Sequence, residues 1–414
     1  MYLSPTCDGT EVQKDVSFTP FTTKILNLTS GLRSLAGNIK LHAVFPPHIK
    51  DYNGLLLPIA EEFEKHRPGG GNPITIDHPE TNELMHLYVH LAYFVNDLRG
   101  AANCTGGHQT PAYVGACSIC NIGGVRSHGT QQYPSSVRAL PRNHALRATW
   151  KEEFKHVPKL ADLAGLGTPG KRNKEDAIAS GMRTETKASP EAFKSVSSFT
   201  KKLPYHDPTK HAFADNAHTM ANFVKQVTGM IGDLARKGKT RLFRAKHRQN
   251  ELKARRFAYM KPQAGTAKVR AKWQATKARV KLIEDAQALC KRPKEWPSLG
   301  PMFSKEVKKT SELLLCAGPV GAYYLQYVDI DDDIKANMIK VFRLMGILQH
   351  KCSTSGDRSK VRKELPIAMT ELELRVPTYN QTMVVHVLVS HMVDMLEATG
   401  PFHVGNMLDM ERYS

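Results

Sequence analysis

The stretches that decide the fold are Val95-Asn96-Asp97-Leu98 and, 20 residues further along the chain, Cys117-Ser118-Ile119-Cys120. In the first, an acidic residue closes an apolar run, a position from which a buried strand can present a carboxylate to a metal ion or to water. In the second, two residues separate a pair of cysteines, and this spacing lets both thiolates reach one tetrahedral zinc ion. The two stretches therefore predict a strand end that bears an acid and a knuckle that binds zinc.

The sequence before Asp97 predicts strands and one helix. Residues 21–28 and 39–45 are rich in β-branched and alternating apolar residues, which is typical of strands. Residues 55–66 have the apolar spacing of a helix, and residues 84–95 then lead to Asp97. Early strands, a helix and a further strand that ends in an acid resemble the opening of a ribonuclease H-like fold, in which the first and fourth strands each deliver a carboxylate to one metal site.

Asp8 and Asp97 are the candidate catalytic pair. Two carboxylates at strand ends suit Mg²⁺ or Mn²⁺, because hard divalent cations prefer oxygen ligands. The alternatives are an ordinary turn at Asp8-Gly9 and a helix cap or loop acid at Asp97.

The cysteine pair needs two further ligands to bind zinc. His128 and His144 follow Cys117 and Cys120 in the sequence, and two imidazoles with two thiolates complete a tetrahedral Zn²⁺ site. His108 precedes the pair and is a further candidate ligand. The alternative is a pair of buried free thiols that pack as small apolar side chains.

Most of the positive charge lies in one region. The chain of 414 residues has a formal net charge of +19, and residues 236–294 alone carry 20 Lys and Arg against three acidic residues. Such a region predicts binding to DNA through its phosphates, whereas the alternative is a solvated charged helix without a partner. The candidate DNA-binding residues are Arg241, Arg244, Lys246, Arg248, Arg255, Arg256, Lys268, Arg270 and Lys272.

The composition predicts an intracellular protein. Seven scattered cysteines argue against a disulfide framework, and the first residues lack the pattern of a secretory signal. The longest apolar run, residues 313–328, is interrupted by glycine and proline, so no membrane partner is expected.

Taken in order, the motifs resemble those of the transposases of En/Spm-like (CACTA) DNA transposons. The resemblance rests on Asp8-Gly9, Asn96-Asp97, the cysteine pair and Leu140-Pro141-x-x-His144-x-x-Arg147, although Arg99-Gly100 stands where the family has Pro-Ala. It implies metal-dependent cutting and joining of DNA, a nuclear location and DNA as the partner, with homo-oligomers possible.

A later segment departs from the family at one position. Residues 215–222 resemble the segment Asp-x-x-His-x-Glu-x-Asn, whose Glu is the third catalytic carboxylate that the resemblance implies, but Met220 stands in its place. Methionine cannot bind a hard cation, and Met220 instead falls on the apolar face of a predicted helix. Impaired catalysis is therefore predicted. A non-enzymatic nucleic-acid-binding or scaffolding protein is the alternative.

In the last third of the chain, the spacing of apolar residues predicts helices over residues 305–317, 334–348 and 382–398. A charged linker is predicted over residues 353–363. His386 and His391 lie five residues apart within the last of these, a spacing that predicts core histidines rather than ligands of one metal. This part resembles the helical domain that follows the transposase core in the family, and both ends of the chain look truncated.

The predicted architecture has three parts. An α/β ribonuclease H-like core with a mixed sheet spans residues 1–235 and includes the zinc knuckle near 117–144. A basic helical region spans 236–295, and an all-α domain spans 296–414.

Overall fold

A computed structural model describes residues 1–154, 197–232, 273–290, 300–303, 309–376 and 382–402, with gaps inside the first, second and fifth ranges, the longest at 106–116. Several predictions fall on residues outside this description. They include the basic stretch over residues 236–272, both candidate catalytic aspartates and His128.

The described elements alternate between strands and helices in the first part of the chain and are helical in the last. The strands are β1 (Tyr2–Cys7), β2 (Thr10–Gln13), β3 (Val16–Ile25), β4 (Ile39–Phe45), β5 (Ile74–Asp77), β6 (Leu84–Leu87), β7 (His90–Leu91), β8 (Phe94–Asn96), β9 (Val125–Ser127), β10 (Thr130–Gln132) and β11 (Ala212–Ala214). The helices are α1 (Tyr52–Lys65), α2 (Leu98–Thr105), α3 (Ala145–Phe154), α4 (Ser198–Lys202), α5 (Asn216–Ile231), α6 (Lys277–Leu289), α7 (Thr310–Cys316), α8 (Pro319–Leu325), α9 (Asp332–Gln349), α10 (Ser355–Arg375), α11 (Met383–Ser390) and α12 (Met392–Thr399). Short 3₁₀ turns span Ala36–Asn38 and Ser136–Ala139.

The chain forms two compact units that are each discontinuous in sequence. The first takes in the described residues of 1–123 and 170–215, and the second takes in those of 124–169 and 216–403. Among the residues that the structure describes, no helix has the length and apolar character that crossing a membrane requires.

A small mixed sheet organises the first unit. β1 pairs antiparallel with β3, which also pairs antiparallel with β2 and β4, while β1 pairs in parallel with β7 on its other side. β8 and β11 form a further parallel pair. Because parallel strands end at the same edge, the carboxyl ends of β8 and β11 lie together, at Asn96 and Ala214.

Helix α1 covers one face of this sheet. Its buried residues Leu56, Ala60 and Phe63 recur at helical spacing, so one apolar stripe faces the strands. They belong to one core with Leu3 of β1 and Phe199 of α4. Burying such a side chain contributes roughly 1.5–3 kcal/mol, so this layer holds the sheet in place.

The second unit is mostly helical. Its longest helices, α9 and α10, pack together, and α5 packs against α7 and α11. Gly321 of α8 lies where a methyl group would collide with the carbonyl oxygen of Cys316 and the ring of Phe342, so only glycine permits this close packing.

A buried carboxylate joins α10 to an earlier part of the same unit. Glu373 is fully buried and accepts hydrogen bonds from the amide of Ser136 and the indole Nε1 of Trp150, both at 3.0 Å. Arg147 donates through Nη1 to the carbonyl oxygens of Val137 and Leu140, at 2.8 and 3.0 Å. The arginine that ends the Leu-Pro-x-x-His-x-x-Arg motif therefore closes the turn before α3.

The coarse fold class predicted from sequence is confirmed: the chain is mixed α/β with a small mixed sheet and a helical second part. The prediction of a charged linker over residues 353–363 is wrong, because α10 begins at Ser355 and continues to Arg375. Thr354 and Asp357 form a capping box at its start, with the Asp357 amide donating to Thr354 Oγ1 at 3.1 Å.

Candidate metal centre

The cysteine pair is buried. Cys117 is 2% and Cys120 is 0% exposed, and both are free of disulfide bonds. The amide of Ile119 donates to Cys117 Sγ at 3.4 Å. The knuckle thus holds two sulfur donors away from solvent, where a metal ion can use them.

Two histidines of the second unit also face one another. His386 and His391 are 0% and 2% exposed, and their Nε2 atoms lie 3.1 Å apart. On one continuous helix, residues five apart point in different directions. Here α11 ends and α12 begins at His391, whose φ of −131° and ψ of −22° interrupt the helix, and the interruption brings both rings together.

These four side chains form one group. The sulfur atoms of Cys117 and Cys120 and one ring nitrogen each of His386 and His391 all lie within 4.8 Å of one another. Two thiolates and two imidazoles are a donor set that zinc takes in structural sites. The four residues therefore fit a metal ion such as zinc.

The sequence had predicted a different pair of histidines. His144 lies just before α3, where its Nδ1 accepts a hydrogen bond from the amide of Leu146 at 3.2 Å, and it is not part of the group among the described residues. His128 and His108 lie outside the described residues. The two cysteines of the prediction belong to this group, and His386 and His391 supply its two imidazoles.

For the predicted catalytic residues, the structure describes only neighbours in the sequence. Asp8 and Asp97 lie outside the described residues, as do all nine candidate DNA-binding residues. The described residue before Asp97 is Asn96, which is 0% exposed and whose carbonyl oxygen accepts from the amide of Asp215 at 2.7 Å. A buried acid, Asp215, thus lies where β8 and β11 end.

The position expected to supply a third carboxylate is apolar. Met220 is 0% exposed on the buried face of α5, together with Phe223, Val224 and Val227. The alternation of buried and exposed residues agrees with the helical face predicted from sequence. This side chain packs the core and offers no oxygen to a cation.

No protein-family model matches the chain, and no curated protein matches it.

Proposed function

We propose that the chain is a transposon-derived DNA-binding protein related to the En/Spm-like (CACTA) transposases, with a ribonuclease H-like core, a structural zinc centre and impaired strand cleavage. The observation that carries this proposal is the parallel pairing of β1 with β7, which comes just before β8. The fold analogy needs the first strand and a strand after the first helix to run side by side, and in the sequence Asp8 follows β1 and Asp97 follows β8.

The zinc centre supports a folded core that serves DNA binding. A thiolate–imidazole site contributes folding free energy, because its ligands come together only in the folded chain. Zinc itself would act there as a structural ion. Mg²⁺ or Mn²⁺ would be needed only for cleavage, in which cations stabilise the charge that develops on the attacked phosphate.

Met220 supports the proposal that strand cleavage is impaired. A two-metal site requires oxygen ligands, and a buried thioether cannot replace the family's glutamate. The buried Met220 also favours the alternative of a non-enzymatic nucleic-acid-binding or scaffolding protein. For that alternative too, the expected location is the nucleus, and homo-oligomers are possible.

Salt-dependent binding to duplex DNA tests the proposal. Fluorescence anisotropy with a labelled duplex should show a binding constant whose logarithm falls linearly with log salt, with a slope of about −0.9 for each neutralised phosphate. Arg255→Gln combined with Arg256→Gln should lower the magnitude of the slope by up to about 2. The matched control is Lys360→Gln with Lys363→Gln, two exposed lysines of α10, which should leave the slope unchanged.

Two results would contradict the proposal. Affinity for duplex DNA that is absent at low salt, or that does not change with salt, would leave only the scaffolding alternative. Metal-dependent strand cleavage that Asp97→Ala abolishes would keep the family relationship and refute the claim of impaired catalysis.

A further inference from the structure

Helix α6 of the second unit has an apolar side that faces away from the core. Its buried residues are Ile283 and Gln287, and Gln287 Oε1 accepts a hydrogen bond from the amide of Met302 at 2.9 Å. On another side, exposed apolar residues recur at intervals of four, four and three, which places them in one stripe along the helix. This outer stripe consists of Ala278, Leu282, Ala286 and Leu289.

The leucines of the outer stripe are strongly exposed. Leu282 and Leu289 are 58% and 84% exposed, although apolar side chains at this spacing normally face a neighbouring element. Two tyrosines lie beside the end of α6, where Tyr324 Oη donates to Cys290 Sγ at 3.3 Å. The other large apolar side chains that are exposed in the described part of the second unit are Tyr323 and Tyr327. Exposed apolar side chains gathered in this way mark an interaction surface.

The order of small and large side chains in the outer stripe suits a second copy of the same helix. Alanine and leucine alternate along the stripe. Two such helices that run antiparallel therefore set each leucine of one copy opposite an alanine of the other, so that small residues leave room for large ones. A two-fold axis produces this arrangement, because the same surface then contacts itself.

The charges beside the outer stripe favour the same antiparallel arrangement. The basic residues Lys277, Arg279 and Lys281 lie in the first turns of α6, and the acids Glu284 and Asp285 follow. Lys281 and Asp285, four residues apart, border the stripe on the same side. Antiparallel pairing brings Lys281 of each copy near Asp285 of the other, whereas parallel pairing would bring the basic first turns of both helices together.

We infer that the outer stripe of α6 is a two-fold interface between two copies of this chain, in which the two helices run antiparallel and Tyr323 and Tyr327 lie at the edge. A helix of 13 residues is about 20 Å long, so the interface is smaller than that of a permanent dimer, and a dissociation constant of roughly 1–100 µM is expected. The inference goes beyond the proposed function, because none of these contacts requires DNA.

Sedimentation velocity of the full chain, freed of nucleic acid, tests the interface over a range of concentrations. The parent chain should change from monomer to dimer as its concentration rises through the micromolar range. Leu282→Glu and Leu289→Glu should each raise the dissociation constant by about 10-fold or more, because a charge replaces an apolar contact in both copies. The matched control is Leu84→Glu, which changes a 67% exposed leucine of β6 in the first unit and should leave the dissociation constant unchanged.

A pair of charge reversals tests the antiparallel orientation. Lys281→Asp and Asp285→Lys should each weaken the homodimer by about 5-fold or more, because each sets like charges against one another across the interface. An equimolar mixture of the two variants should dimerise as tightly as the parent chain, since the mixed pair restores both lysine–aspartate contacts. Both positions are exposed, so these changes leave the core contacts of α6 intact.

Three results would overturn the inference. They are a chain that stays monomeric at concentrations well above the micromolar range, a dimer that Leu282→Glu and Leu289→Glu leave intact, and a mixture of the charge variants that associates no more tightly than either variant alone. A monomeric chain that Leu282→Glu destabilises in urea would show that another part of the same chain covers the outer stripe. Retained DNA binding by a monomeric chain would refute the interface and leave the proposed function standing.

Discussion

The cysteine–histidine group and the carboxyl edge of β8 and β11 offer opposite metal chemistries. The first has two sulfur and two nitrogen donors, all buried and within 4.8 Å of one another. The second has an oxygen donor at Asp215, and an apolar side chain, Met220, stands where the family resemblance implies a third carboxylate. Soft donors suit zinc and hard donors suit magnesium or manganese.

A structural metal and a catalytic cation make different demands on the residues that bind them. A structural metal needs only a complete donor set and burial, since its binding free energy becomes folding free energy. A catalytic cation also needs enough oxygen ligands and access to substrate. Among the described residues, the cysteine–histidine group meets the first requirement, whereas Met220 offers no oxygen ligand that could serve the second.

The largest expected effect comes from removing a thiolate. Cys117→Ser should lower zinc affinity by more than about 100-fold, because losing even an outer partner of a metal ligand costs about 10–100-fold. Zinc content measured by mass spectrometry on the purified chain should fall from one ion towards none.

Two controls sharpen this contrast. Cys352→Ser changes an exposed cysteine and should leave zinc bound, and Asp215→Asn should do the same because it acts at the other region. Full zinc retention by Cys117→Ser, or loss of zinc in Asp215→Asn, would contradict the claim that the cysteine–histidine group alone binds the zinc ion.

Placing a carboxylate at position 220 is expected to have the next largest effect. Met220→Glu places an acid in a fully buried apolar position and should lower the free energy of unfolding by about 4 kcal/mol at neutral pH. Burial raises the pKa of this glutamate above its unfolded value, so the folded state binds more protons. The penalty should therefore shrink as the pH falls towards about 4.

Urea unfolding at several pH values measures this penalty. Met220→Leu is the matched control and should cost less than about 1.5 kcal/mol at every pH. An unchanged stability of Met220→Glu would show that position 220 is not a closed apolar site.

Glu373→Ala should have an intermediate effect. It leaves the amide of Ser136 and the indole of Trp150 without an acceptor, at about 1–3 kcal/mol for each buried donor. Since α10 packs against α11, which carries His386, zinc affinity should also decrease. Thermal unfolding and zinc titration check both parts.

The control for Glu373 lies on the same helix. Glu364 forms an ion pair with Lys340 at 3.2 Å near the surface, and Glu364→Ala should cost less than about 1 kcal/mol with unchanged zinc affinity. Equal destabilisation by the two variants would mean that burial of Glu373 has no special role.

The smallest effect is expected at Arg362. Its guanidinium donates to Asp394 at 2.6 Å and to Glu397 at 2.9 Å on α12, the helix that follows His391. Hydrogen bonding to Glu397 raises the pKa of Arg362. Because these groups are partly exposed, Arg362→Ala should cost at most about 1 kcal/mol and less at high salt.

Chemical unfolding at low and high salt measures this contribution, with Lys363→Ala as an exposed control on the same helix. A loss that does not depend on salt would point to packing of the arginine stem rather than to charge.

Local patterns allowed much of the fold to be predicted. The strand over residues 39–45 matches β4, and the helix predicted over 55–66 closely matches α1, because alternation and helical spacing are properties of short segments. Helix α10 was missed because charged residues dominate its first turns and hide its apolar face. The capping box of Thr354 and Asp357 was the signal that could have revealed it.

The candidate metal site was only half predictable. The spacing of Cys117 and Cys120 is local, so the sequence alone identified the thiolates and the metal they suit. His386 and His391 were rejected as ligands because their spacing does not suit a continuous helix. Their function as a pair depends on the interruption at His391, which the spacing alone does not predict.

The sequence by itself determined the mixed α/β class, the thiolate pair, the placement of helices α1, α5, α7 and α9 and the apolar nature of position 220, because each depends on residue type and short-range periodicity. Only the tertiary structure decided which imidazoles stand beside those thiolates, which buried acid lies where β8 and β11 end, and that Glu373 binds Ser136 and Trp150. These are contacts between residues far apart in the chain, and they are set by strand pairing and helix packing rather than by local pattern.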